Sequence, residues 1–457
     1  MSKKLIIHLT LVLLFFFGQT SRLYAEGLNL IRDAETEKFL RDLTNPIFKA
    51  AGLHPENISI YIINDNSINA FVSGGQNVFI NTGLIRRFST PDALIGVIAH
   101  ETGHITSGHL ARSSEGQAQA EGAMLLSYLL GIGAIIGGSP AAGQALIMGG
   151  SQTAERLYMK FTRTQEEAAD AHAIEYLDKM QYPANGLVDL LEIFQSEMVT
   201  SGVQVDEYLL SHPVSQKRID LIKSRTAGKN YAHSKNHEKI DHQLQKPMEQ
   251  ILAKLEGFIE NPDNVLNRYK NQNDDLANYK KSIAFSKKGN LSQALALLDP
   301  LIVKNPRDGF LLEMKGQFLF EVGKIEDSII TYNKSIKLLD AQTSAQIKVA
   351  FATAILTLKK DDSALINLAI KRLDEAKEFE KENPFLFRQL AIAYDKTDDK
   401  GRSMLALAEF NFLIGEKDKC KKYAKEAKEK LAKTDKVNLL RADDLLELVK
   451  DDKKEKK

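Results

Sequence analysis

His100-Glu101-Thr102-Gly103-His104 has the residue types and spacing of a metal-dependent hydrolase. On a helix, positions i and i+4 share one face, so His100 and His104 can offer two imidazole nitrogens to one metal ion. Glu101 stands one position after the first of them, where its carboxylate reaches a water beside the metal without taking a coordination position. Two ligands, one base and a water between them is the layout of a zinc hydrolase. The flanking residues supply the helix. Thr90-Pro91-Asp92 is a helix start, with a capping hydroxyl, a proline in the first turn and an early acid. Leu94, Ile95, Val97, Ile98 and Ala99 then make the first half apolar nearly all round, which predicts burial. Buried His and Glu side chains need partners. A metal supplies them; the competing reading is a chance His pair on an ordinary helix.

Catalytic zinc uses three protein ligands and keeps one position open. A histidine six residues after His104, with a glycine three after it, would be one solution. Those positions hold Leu110 and Ser107. Gly108 and His109 are one residue out of register, and His109 reads as a solvated residue near the helix end. The other solution is an acid from a separate helix. Glu155 to Met180 has a helical composition and contains Glu166-Glu167-Ala168-Ala169-Asp170. Glu166 and Asp170 are i and i+4 and share a face, so one could ligate while the other orients a ligand imidazole. Glu167 points elsewhere and reads as solvated.

Taken together these motifs resemble the HtpX-like gluzincin metallopeptidases, the family that also holds the CAAX prenyl proteases. The resemblance extends upstream to Ile68–Gly75 and Val78–Leu84, similar to the strand pair ahead of that family's zinc helix, whose edge could bind extended substrate by strand addition. It extends downstream to Leu210-Ser211-His212-Pro213, with Arg218 six residues after the histidine. It covers Ile58 to Ile222. It implies one Zn2+ per chain held by His100, His104 and Glu166, Glu101 as general base, Asp170 orienting a ligand, and Arg218 stabilising the tetrahedral oxyanion. His212 either assists at the transition state, latches the fourth zinc position, or merely neighbours the capping Pro213.

Lys3-Lys4 followed by an apolar run from Leu5 to Phe17 reads as a secretory leader, with cleavage expected after Ala25 and an uncleaved anchor as the alternative. The apolar run is short for a membrane span. The single cysteine, Cys420, excludes an intramolecular disulfide. A net charge of +1, without a basic stripe or aromatic array, argues against nucleic acid. Ala123 to Gly150 is apolar and glycine-rich, broken at Ser139-Pro140. It reads as a helical pair near the active-site cleft or as a membrane-surface hairpin, a candidate for peripheral membrane contact.

The second half is repetitive. Gly289 and Gly323 are 34 residues apart, the tetratricopeptide period, and each stands between two apolar helical stretches. Ala294 and Ser328 hold the same small-residue position. Residues 351–379 and 385–407 resemble weaker units. Such repeats stack into a solenoid that grips other proteins.

The fold expected is an α+β zincin-like metallopeptidase domain, helical with a small β-sheet, followed by an all-α tetratricopeptide-repeat solenoid. The expected boundaries are 1–25 leader, 26–228 peptidase, 229–270 bridge, 271–440 repeats and 441–457 charged tail. A secreted gluzincin followed by such repeats resembles the BepA-type periplasmic protease-chaperones. That resemblance implies a periplasmic endopeptidase acting on misassembled outer-membrane proteins, with the repeats recruiting clients or the β-barrel assembly machinery. The rivals are a binding scaffold with a latched zinc site, and a membrane-embedded peptidase acting on lipidated proteins.

Overall fold

The computed structural model describes residues 29–74, 76–109, 140–201, 212–229, 231–358 and 362–450. The leader expected at 1–25 and residues 123–139 of the apolar stretch lie outside them. The chain forms two compact units, one from residues 39–249 and the other from 250–457 with the first 38 residues.

In the 39–249 unit, helix α1 (Ala34–Ala50) buries Leu40, Leu43 and Ile47, the spacing of one helical face. Strands β1 (Ser59–Ile63), β2 (Ala70–Ser73) and β3 (Asn77–Asn81) lie side by side in the order β1–β3–β2. β1 runs parallel to β3 and β2 antiparallel to it, with Ile62 and Ala70 both opposite Ile80. These three residues and Val78 are buried on one face. Tyr61, Phe79 and Phe71 stack across the other, with centroids 5.0 and 4.9 Å apart, a cross-strand aromatic row. β2 ends the row and is an edge strand among the described residues.

The short helix α2 (Thr82–Arg87) leads into α3 (Pro91–Thr106), which carries the His-Glu-Thr-Gly-His motif and is buried from Ala93 to His104. Its start differs in one detail from the sequence expectation. Thr90 holds the extended backbone of a capping residue, but its hydroxyl makes no capping hydrogen bond. The first turn is anchored instead at Asp92, which accepts a hydrogen bond from the Tyr182 hydroxyl at 2.5 Å. Helices α4 (Pro140–Lys179) and α5 (Asn185–Ser201) both pack on α3, and α6 (Gln216–Thr226) packs on α4 and α5. α4 is one continuous helix that includes both the apolar stretch after Pro140 and the helical stretch from Glu155. Ser215 caps α6 by accepting the Arg218 backbone N–H. Helix α7 spans Lys235–Ile259.

From residue 262 onward the described residues of the second unit are all-α. Its helices follow one another as Pro262–Arg268, Asp275–Lys287, Leu291–Lys304, Gly309–Glu321, Ile325–Leu338, Ala345–Thr357, Ser363–Lys377, Pro384–Lys396, Lys400–Leu413, Lys417–Lys430 and Lys436–Leu448. Gly289 and Gly323 sit in the turns between consecutive helices with φ of +72° and +80°, the left-handed conformation that glycine adopts without strain. Ala294 and Ser328 are fully buried. Ser328 Oγ donates to the Gly316 carbonyl at 2.9 Å, which a small residue at a close helix crossing permits. The final helix buries Ala442 and Leu445, so regular structure continues past residue 440. Among the described residues no helix is long and apolar enough to cross a membrane.

Candidate metal centre

α3 turns His100 and His104 toward one side, and α4 crosses α3 at that point. The crossing is close because Gly103 has no side chain: a Cβ there would stand 2.7 Å from the Ala169 carbonyl oxygen. Ala169 lies between Glu166 and Asp170, so the contact delivers both acids to the two histidines. The segment before α6 adds His212. The imidazole and carboxylate donors of His100, His104, Glu166 and His212 fall within 4.8 Å of one another.

The spacing tests whether a metal fits. Donors at about 2.0–2.1 Å on the corners of a tetrahedron stand about 3.3 Å apart. Here His100 Nε2 is 3.1 Å from His104 Nε2, 3.3 Å from Glu166 Oε2 and 3.4 Å from His212 Nδ1. Glu166 Oε1 is 3.4 Å from His104 Nε2 and 3.2 Å from His212 Nδ1. Nitrogen lone pairs and carboxylate oxygens converging at that distance suit a divalent cation of zinc's size. Glu101 lies beside the cluster, 1% exposed, with Oε1 3.4 Å from His212 Nε2. Neither of its oxygens has a hydrogen-bond partner among the described residues. A buried carboxylate without partners is costly, and a water held at the cluster would supply one.

Electrostatics divide the two motif histidines. Burial works against charge on His100, but hydrogen bonds to Asp170 and Glu166 outweigh it and push its imidazole up to about 10. On His104 burial prevails and brings the imidazole down to about 4. Burial pushes the Glu101 carboxyl up, against the pull of His212, His100 and Arg218. For Glu166 burial is overcome by His212 and by hydrogen bonds with the imidazoles, which hold it well below the ordinary carboxylate value. Asp170 is lowered by Arg218 and His100 against its burial.

A sequence model of Peptidase family M48 matches residues 34–226, the stretch that contains every one of these groups. Residues 34–226 belong to peptidase family M48. Over 198 residues, the chain is 29% identical to a beta-barrel assembly-enhancing protease of Yersinia pestis, covering 43% of this chain and 40% of that protein. It is 28% identical to the Escherichia coli protein of the same name with the same coverage. A Vibrio cholerae protein that bears the name provisionally is 26% identical over 303 residues, 64% of this chain and 60% of that protein. These alignments thus span between 40% and 60% of the relatives' own lengths.

In the M48 domain Arg218 is engaged at several atoms. Nε and Nη2 donate to the Asp170 carboxylate at 2.7 and 2.8 Å, Nη1 donates to the Pro213 carbonyl at 2.9 Å, and Nη1 lies 2.9 Å from Glu166. Asp170 in turn accepts from His100 Nδ1 at 2.9 Å. Glu167, by contrast, faces Lys217 at the surface.

One sequence expectation is corrected. His109 is not solvated; it is 8% exposed, and its Nδ1 lies 2.9 Å from His104 Nδ1. Gly108, with φ of +62°, turns the chain back directly after the helix, which helical spacing could not convey. The Gly108-His109 pair one residue beyond the helix end was the available signal.

Proposed function

We infer that this chain is an exported zinc endopeptidase of envelope protein quality control. The supporting observation is the four-donor cluster with, beside it, the buried Glu101 carboxylate, whose oxygens accept no hydrogen bond among the described residues, in an M48 domain. A bound zinc would polarise a scissile carbonyl and acidify the attacking water. Glu101 takes the proton from that water and passes it to the leaving amine. His100, His104 and Glu166 would hold the metal. Asp170 orients His100. Arg218 keeps the Glu166 and Asp170 carboxylates in place, and the oxyanion role implied by resemblance would draw on the same guanidinium. The edge strand β2 offers backbone groups to an extended substrate.

The relatives are named for enhancing β-barrel assembly, so misassembled outer-membrane proteins are the clients we propose. The helices within 271–440, read as tetratricopeptide repeats, would recruit those clients or the assembly machinery. Export through the leader at 1–25 would place the enzyme in the periplasm, with the 123–150 stretch available for peripheral membrane contact.

The test is casein proteolysis by the purified mature protein beside Glu101→Gln, with metal content measured on both. Zinc near one per chain, and activity lost by ~10²–10⁴ in the variant, is the expected result. Zinc-free protein would sink the reading.

His212 favours a second reading. Its Nδ1 is 3.2 Å from both Glu166 oxygens, where a fourth protein ligand would close the position that catalysis needs open. The chain would then be a latched enzyme or a scaffold. Higher proteolysis by His212→Ala identifies the latch; zinc without cleavage by either protein favours the scaffold.

A further inference from the structure

The two motif histidines are built alike. His100 turns Nε2 to the donor cluster and Nδ1 to Asp170 at 2.9 Å. His104 turns Nε2 to the cluster, 3.4 Å from Glu166 Oε1, and Nδ1 to His109 at 2.9 Å. Each ring therefore has a partner on its far nitrogen, a carboxylate for one and a third imidazole for the other. We propose that His109 is the positioning residue of His104: its Nδ1 accepts the His104 Nδ1–H and so directs the His104 Nε2 lone pair at the metal. This rests on the metalloprotease reading above.

Proton counting gives the direction. An imidazole that ligates through Nε2 has no proton there, so a neutral His104 carries it on Nδ1. The His109 nitrogen facing it must then accept, and the His109 proton sits on its own Nε2. The opposite pair of tautomers puts a proton on His104 Nε2 and removes it from the donor set. The rings meet edge-on, with centroids 4.9 Å apart and planes at 71°, as expected when an N–H points at an in-plane lone pair. The backbone is arranged for it. Ser107 ends the helix, the Gly108 N–H bonds the Ile105 carbonyl at 3.1 Å, and the left-handed Gly108 folds His109 back beneath His104. Near-complete burial of His109 keeps water from competing for the bond. Partners of this kind typically contribute 10–100-fold in metal affinity.

Zinc affinity of the whole chain, measured by competition with a chromogenic chelator, tests this in the unsubstituted protein, His109→Phe and His109→Asn. Phenylalanine keeps the ring shape without an acceptor; asparagine keeps an acceptor oxygen. Cobalt-substituted visible spectra and melting of the metal-free proteins accompany each titration. We expect His109→Phe to bind zinc about 10–100-fold more weakly with an altered cobalt spectrum, and His109→Asn to recover most of the loss. Metal-free melting should stay close to that of the unsubstituted chain. If His109→Phe does not fold, His109→Leu takes its place. Equal affinity in all three proteins overturns the positioning role alone. Equal loss in phenylalanine and asparagine variants also overturns it, because packing rather than the acceptor would then matter. An unsubstituted chain that binds no zinc overturns the metalloprotease reading, and this inference with it.

Discussion

Gly103 and Ala169 touch so closely that a Cβ on Gly103 would stand 2.7 Å from the Ala169 carbonyl oxygen and 2.9 Å from its Cα. The candidate metal site depends on that contact, since Glu166 and Asp170 stand three residues before and one after Ala169 on the same helix. A side chain at 103 has to push α4 away from α3. Gly103→Val should therefore cost about 1–3 kcal/mol of stability and weaken zinc binding. Denaturant unfolding and a zinc titration on one preparation check both, and retention of full affinity would refute the link.

Asp170 joins His100 to Arg218, and all three are buried. Asp170→Asn removes the charge that faces Arg218 and weakens the grip on the His100 ring. Zinc affinity should fall about 10–100-fold. Stability should fall by about 3 kcal/mol, as when a buried ion pair loses one member. Chelator competition and urea unfolding measure the two effects separately.

Lys254 offers a pH prediction away from the metal centre. Its ammonium lies 2.5 Å from Asp33, 3.1 Å from Glu35 and 3.6 Å from Glu313, one cation against three carboxyls, of which Glu35 is buried and Asp33 and Glu313 are partly buried. Burial, only partly offset by Lys254, pushes Glu35 and Glu313 up to about 7 each. The unfolded chain loses these protons near the ordinary value of 4.5 while the folded chain keeps them. The stability they lend is thus full at low pH and is lost as pH rises toward about 7, by up to about 1.4 kcal/mol per pH unit for each group. Glu35→Gln with Glu313→Gln should flatten that part of the curve. Denaturant midpoints between pH 4 and 8 test it, and an unchanged slope would count against the assignment.

Gly323 turns between two helices with φ of +80° and open space around its Cα. Gly323→Ala meets no clash, so backbone strain alone should act, at about 1 kcal/mol. A thermal melt showing no loss would mean that the turn relaxes into another conformation.

The residues that could do chemistry were legible because their spacing is local. Positions i and i+4 of one helix share a face whatever surrounds them, so His100 with His104 and Glu166 with Asp170 could each be paired from the chain. The 34-residue interval between Gly289 and Gly323 is equally local, because it reports one helix pair at a time. The apolar run before His100 likewise fixed the burial of α3.

What the sequence could not determine was which faces meet. Only tertiary packing brings α4 onto α3 at Gly103 and Ala169, so that Glu166 and His212, 66 and 112 residues after His100, join His100 and His104 in one cluster. Only the left-handed turn at Gly108 sends His109 back onto His104 rather than out to water. Arg218, too, finds its carboxylate partners through packing, with α6 laid against α4. Helical periodicity carries direction within a single element. Side-chain partners across elements follow from close packing, which the linear order of residues does not encode locally.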